Sequence, residues 1–149
     1  MGSAGHIACR WVMAGSLVFG GPAIVQLTAQ APFSKEDSRA LVFADVEKGV
    51  VTGSVAEFSR HLASQVYVQL REGESGTYSA NQAYYVLEIF FRAHKSLGAK
   101  LSTFGGSETN PYATGRATFV ANGIRQETQM YVSLSRHGDR WMITHLSVY

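Results

Sequence analysis

The pair Asn122-Gly123 stands between two runs in which large apolar and polar side chains alternate, and it constrains the fold more than any other feature. Two residues of this type close a β-hairpin through a type I′ turn, because both tolerate the positive φ that the turn demands. Strands are therefore predicted over Tyr112–Ala121 and Ile124–Ser135, and so is their register. Ala121 faces Ile124, Ala117 faces Thr128, Gly115 faces Met130 and Ala113 faces Val132. One face then gathers Ala113, Gly115, Ala117 and Phe119 beside Ile124, Met130, Val132 and Leu134. Small residues on one strand let a helix lie close, so this is the expected core face. The opposite face carries Tyr112, Thr114, Arg116 and Thr118 beside Glu127, Gln129, Tyr131 and Ser133. It is polar yet aromatic, as a partner-binding sheet face can be.

The period of two begins after Gly98. It predicts a strand over Lys100–Ser107, a turn at Thr109-Asn110-Pro111, a second turn at Arg136–Asp139 and a last strand over Arg140–Tyr149. In that last strand Trp141 and Ile143 are out of phase with Leu146 and Val148, and a bulge near Thr144-His145 would reconcile them. Gly105-Gly106 reads as a bend or bulge in a curved strand.

Upstream the pattern is helical. Lys35–Val51 places Val42, Val46 and Val50 on one stripe, with Ser34 as cap and Glu36 and Asp37 in the first turn. A short second helix is expected after Gly53, where Ser54 and Glu57 have capping-box spacing. Val66–Arg71 alternates as a half-buried strand, and Glu72–Gly76 reads as a polar loop. Ser79 and Gln82 form another capping box, before a helix over Ala80–Ser96 whose stripe runs from Ala83 to Leu97.

The first thirty residues differ from the rest. Arg10 is the only charge before Lys35, an apolar stretch follows it, and Ala29-Gln30-Ala31 supplies small residues. This is the layout of a secretory signal peptide over residues 1–31, cleaved after Ala31 or Ala29. Gly15 and Gly20-Gly21-Pro22 interrupt the run, so no permanent membrane span is expected. The lone Cys9 precedes the apolar run, which does not make a lipobox. Residues 32–149, a single domain, would then hold no cysteine, disulfide or zinc-thiolate site. The apolar and charged fractions, 46% and 16%, suit a globular domain rather than a disordered chain. The formal charge of +2 is spread without clusters, so a nucleic-acid partner is not expected.

From Gly53 to Tyr149 the chain resembles a family of small secreted bacterial proteins known only as a domain of unknown function, common among Bacteroidetes. The matching text is Val66–Leu70, Tyr78–Ala83, Leu87–Phe91, Tyr112–Ala117 and Trp141–Leu146, in that order and spacing. Phe104-Gly105-Gly106 departs from the pattern, in which a His precedes the glycine. The family is similar to the nuclear transport factor 2-like superfamily, shared with steroid delta-isomerase and SnoaL-like cyclases. The resemblance implies an α+β cone in which three N-terminal helices pack on a curved, mainly antiparallel sheet, in the order ααβαββββ. It brings no catalytic residues.

An isomerase of this kind needs an acid/base carboxylate inside the cone. Glu88, beside the core stripe of the long helix, is the first candidate, against the reading that it is a solvated helix charge. The histidines lack the close spacing of metal ligands, and no nucleophile elbow or phosphate-binding glycine loop occurs. Neither a cofactor nor a metal is expected. Tyr84, Phe91, Phe104 and Trp141 could line the mouth of the cone for a small apolar ligand, or fill the core. Tyr112, Arg116, Glu127 and Tyr131 mark the candidate partner face, for a homodimer through the sheet or for an envelope protein. The sequence thus favours an exported, periplasmic or extracellular, non-catalytic binding domain, with a cone-pocket isomerase or cyclase as the alternative.

Overall fold

A computed structural model describes residues 35–149, so the signal-peptide expectation and the Ser34 cap lie outside the described residues. Helix α1 spans Lys35–Thr52, and its Val42, Phe43, Val46 and Val50 are buried as the valine stripe requires. Two 3₁₀ turns, Val55–Glu57 and Ser59–His61, stand where a second helix was expected. The Ser54 side chain makes no cap hydrogen bond, and Glu57 pairs with Lys48 on α1 at 2.8 Å. Phe58, between the turns at φ −122° and ψ 0°, leaves helical geometry to reach the core, where it is fully buried. Burying a phenyl ring is worth about 1.5–3 kcal/mol, more than one further turn of so short a helix could return.

Strand β1 (Leu62–Leu70) folds back onto β2 (Ser75–Ser79), with Val66 opposite Tyr78 and Val68 opposite Gly76. The expected polar loop is therefore partly strand. Leu70 N–H reaches Glu74 O at 3.2 Å and Glu72 takes a positive φ of 55°, which tightens the reversal. Helix α2 (Ala80–Ala93) starts at the expected capping box: Gln82 N–H donates to Ser79 Oγ at 3.3 Å and Ser79 N–H to Gln82 Oε1 at 3.0 Å. It ends earlier than its periodicity suggests. The His94 backbone N–H and ring Nδ1 both reach Phe90 O at 2.9 Å, and the imidazole lies on the Phe90 ring at 4.1 Å. The chain then enters β3 (Lys95–Gly106), and Leu97, expected in the helix core stripe, is exposed.

Strands β4 (Pro111–Ala121), β5 (Ile124–His137) and β6 (Arg140–Val148) complete a six-stranded sheet of order β2-β1-β6-β5-β4-β3, in which only the β1–β6 pairing is parallel. The order of regular elements is thus αββαββββ, with two α-helices among the described residues in place of three. Asn122 (φ 51°) and Gly123 (φ 76°) close the β4–β5 hairpin in the expected register, from Ala121 opposite Ile124 to Ala113 opposite Val132. Ala113, Ala117, Phe119, Met130, Val132 and Leu134 are buried together as expected, but Ile124, at the hairpin tip, is exposed.

The bulge of β6 is where the phase argument requires. Ser133 pairs with His145 and Leu134 with Ile143, so Thr144 is the extra residue. Trp141, Ile143, Leu146 and Val148 all become buried. The irregularities of β3 fall at Leu97 and Ser102, whereas Gly105 and Gly106 keep register with Tyr112 and Pro111. Gly115 sits where β3 crosses closest, and a Cβ there would overlap the Lys100 carbonyl oxygen. Gly115→Ala should therefore cost about 2 kcal/mol or more, read as a lowered urea midpoint with an unchanged slope.

Candidate functional site

The interior of the cone is occupied by its own side chains. Phe58, Leu87, Phe119, Met130, Leu134, Ile143 and Leu146 are each exposed by 1% or less. Phe91 and Trp141, for which the sequence allowed either a pocket mouth or the core, are each 6% exposed and belong to this cluster. Phe91 stacks near Phe119 at 6.4 Å, and the Arg39 guanidinium lies 5.6 Å from the Trp141 ring. Tyr84 is half-buried with its ring 5.6 Å from Tyr85. Phe104 is 61% exposed and meets Phe43 edge-on at 5.6 Å. It borders an open groove of about 590 Å³ between α1 and the ends of β3 and β4, lined also by Arg39, Phe43 and Tyr112. The four residues therefore do not share one pocket.

The carboxylates among the described residues lie outside the core. Glu88 stays a third exposed on α2, with Arg92 3.4 Å away one turn on. Asp45 has two side-chain partners. Its Oδ2 lies 2.8 Å from His61 Nε2 and 2.7 Å from Arg60 Nη2. Burial alone would raise its pKa, but the hydrogen bonds from His61 and Arg60 and their charges reverse this and hold it below the ordinary 3.8. A general acid or base working near neutrality needs the opposite tuning. The cluster instead ties α1 to the second 3₁₀ turn. Among the described residues no three His, Cys, Asp or Glu side chains converge as metal ligands.

The face of the sheet turned away from the helices is organised differently. Tyr67 on β1, His145 on β6, Tyr131 on β5 and Tyr112 on β4 form one row across four strands. Tyr67 and His145 meet edge-on at 4.8 Å, His145 and Tyr131 at 4.9 Å, and Tyr131 stacks with Tyr112 at 5.6 Å. His145 Nε2 shares a 2.7 Å hydrogen bond with Ser147 Oγ, and burial pushes its imidazole below the ordinary 6.5. The register thus brings Tyr112 and Tyr131 together, as the hairpin implies, and adds two residues that sequence reasoning missed. Tyr67 and His145 join only because β1 runs parallel to β6, a pairing between strands 78 positions apart at Tyr67 and His145 that local pattern does not signal. Arg116 and Glu127 lie on neighbouring strands of the same face, beside a shallow groove of about 410 Å³ that Gln129 and Tyr149 share. Arg71 reaches its rim, donating through Nη1 to Glu127 O at 3.2 Å.

A six-stranded sheet wrapped on two helices in this order has the nuclear transport factor 2-like fold. Solved structures agree. An NTF2-like protein from Anabaena variabilis ATCC 29413 matches with a TM-score of 0.62 at 18% identity, over 81% of this chain and 93% of that one. Within that class, residues 43–148 match the family described as Domain of unknown function (DUF4783), and the chain belongs to it. A DUF4783 family protein from Bacteroides fragilis YCH46 aligns with a TM-score of 0.61 at 20% identity, over 70% of this chain and 93% of its own. A protein from Shewanella frigidimarina NCIMB 400, described as a candidate ketosteroid isomerase, aligns with a TM-score of 0.58 at 17% identity, over 78% and 98%. No curated protein matches the chain.

Because the folded pKa of Asp45 is depressed, its stabilising effect is complete above about 3.8 and is lost as pH falls through the folded value. Asp45→Asn should lower stability by about 1 kcal/mol at pH 7. The gap to the parent protein should close in acid unfolding curves below pH 3.8.

Proposed function

We propose that the chain is an exported, non-catalytic binding domain whose outer sheet face meets a partner protein. The observation that carries this reading is the Tyr67–His145–Tyr131–Tyr112 row on a face turned away from the helices. Aromatic rings offer large contact areas with few rotamers to freeze, which suits a protein interface. Arg116 and Glu127, beside the row, supply polar contacts at its rim. The filled interior supports binding over turnover, since a reacting substrate needs a cavity with a tuned group in it. Within this reading, the groove beside Phe104 and Phe43 is the place for a small apolar ligand, and Phe91 and Trp141 serve as packing. Export rests on the layout of residues 1–31, and no helix among the described residues is long and apolar enough to cross a membrane.

The competing isomerase reading is favoured by the likeness to the Shewanella frigidimarina protein. Isomerisation of a 3-keto steroid that Glu88→Gln abolishes would replace the binding reading with it.

A photo-crosslinking phenylalanine analogue placed at Tyr131 should capture a partner in living cells on illumination, while the same group at exposed Ala56, on a 3₁₀ turn, should not. Equal capture at both positions, or none at Tyr131, removes the outer face from the proposal. The chain itself, recovered from the same cells, should begin at Gln30 or Pro32 by mass spectrometry if the leader is removed as its small residues suggest.

A further inference from the structure

We infer that the groove between α2 and the β1–β2 hairpin docks a basic amphipathic helix of another protein. The groove lies at the β2 edge of the sheet, on the side that carries α2, and is distinct from the outer face. Apolar surface and charge together select the occupant.

Helix α2 buries Ala83, Leu87, Phe90 and Phe91 in the core, but its apolar surface does not stop there. Tyr85 and Ile89 are 63% and 65% exposed, and Val86, between them and the core stripe, is half-buried. Two hollows of about 380 Å³ and about 480 Å³ meet at Glu74, Val86 and Ile89 and form one groove, with the hairpin as its second wall. Tyr85, Ile89 and Ala93 follow one another at four-residue spacing and make a ridge along the helix. A second helix seats its own row of apolar side chains beside such a ridge. From Gln82 to Ala93 the helical wall runs about 16 Å, which three turns of a partner helix cover.

The polar part of the groove sets the charge of the partner. Glu72 and Glu74 stand on the hairpin wall and form no ion pair among the described residues, and Glu74 Oε2 accepts the Tyr78 hydroxyl at 3.2 Å. Nearby cations are engaged elsewhere: Arg71 donates to Glu127 O, and Arg92 lies 3.4 Å from Glu88. Among the described residues no Lys or Arg lines the groove. The carboxyl end of α2 closes it at Ala93 and His94, and adds the negative end of the helix dipole. His94 is turned inward there, its ring on Phe90 and its Nδ1 2.9 Å from Phe90 O. A Lys or Arg of the partner thus meets two carboxylates and a helix C-terminus, while its apolar residues cover Ile89 and Tyr85.

The same features decide against other occupants. Two copies joined through this groove would set Glu72 and Glu74 against themselves, since a two-fold pair uses one patch twice. An anionic bilayer would be repelled by those carboxylates, and the apolar strip has no basic rim to hold it there. A small molecule in a groove open along its length would stay largely in water. An added strand would need free backbone groups, and β2 is only five residues long.

NMR titration of the full chain with a synthetic helical peptide of about 16 residues, leucine at three- and four-residue spacing and lysine at both flanks, tests the docking. Binding should saturate, with the largest amide shifts at Tyr85, Ile89 and Glu74 and none at Tyr131. The same peptide with glutamate in place of lysine should bind about ten-fold more weakly. Glu72→Lys combined with Glu74→Lys should reverse that preference. Ile89→Gln should weaken the lysine peptide about ten-fold, and circular dichroism confirms that each variant is folded. Absence of saturable binding, equal affinity for the two peptides, or an affinity unmoved by Ile89→Gln overturns the groove. Shifts confined to Tyr67, Tyr131 and Tyr112 overturn it as well, and support the outer face as the peptide-binding surface instead. The protein should stay in the supernatant when phosphatidylglycerol vesicles are sedimented at the same ionic strength. Co-sedimentation that Ile89→Gln abolishes assigns the strip to a membrane and overturns the helix.

Discussion

Asn122 and Gly123, both at positive φ, hold the β4–β5 hairpin in a single register. Because side chains alternate from face to face along a strand, a slip of one residue would exchange the two sides of this pair completely. Ala113, Gly115, Ala117 and Phe119 would then look at solvent, and Tyr112, Arg116 and Tyr131 at the helices. The two-residue turn thus decides which side becomes core and which becomes surface. Gly115 makes the choice hard to reverse, since only a hydrogen fits where the β3 backbone crosses.

The bulge at Thr144 extends that decision to the other half of the sheet. Without it, β6 could bury either Trp141 and Ile143 or Leu146 and Val148, but not all four. With it, the interior fills, and its contents are apolar apart from a few short polar groups such as Thr128, which donates to Ala117 O at 3.2 Å. A carboxylate left in such a place without a partner would cost several kcal/mol. Asp45 and Glu47 of α1 accordingly sit at the margin, where Asp45 reaches His61 and Arg60, and Glu47 reaches Lys100 and the Leu101 N–H. The physics that closes the core thus leaves no Asp, Glu or His among its buried members in the described residues.

What the sequence made legible follows from the range of each interaction. The hairpin register, the Ser79–Gln82 capping box and the bulge phase are all decided within about a dozen residues, and each is found where the pattern places it. The departures were settled by partners further off. Phe58 gives up a helical turn for burial in the distant core, and Ser75–Ser79 becomes a strand because β1 is there to receive it. His94 ends α2 by lying on Phe90 while β4 draws the following residues into β3. The candidate surface shows the same division. Tyr112 and Tyr131 share a hairpin and could be grouped by counting, whereas Tyr67 and His145 entered through a parallel pairing of the first and last strands of the chain that no local period announces.

The edges of the sheet bear on how such a domain can associate. An open edge strand is a template for further pairing, and stable proteins blunt it. At one edge, the β3 backbone is engaged by α1: Glu47 Oε2 accepts from Leu101 N–H at 2.9 Å while Oε1 binds Lys100 Nζ at 3.0 Å. At the other, β2 is only five residues long, and the N–H of its last residue, Ser79, is taken by the Gln82 side chain at 3.0 Å. Association by adding a strand would have to break the first arrangement or rely on the few groups left by the second. Face-to-face contact breaks no hydrogen bond of the sheet. A six-stranded face with a ring row across its middle and both signs of charge beside it is therefore the surface on which this fold can gain contact area at least internal cost.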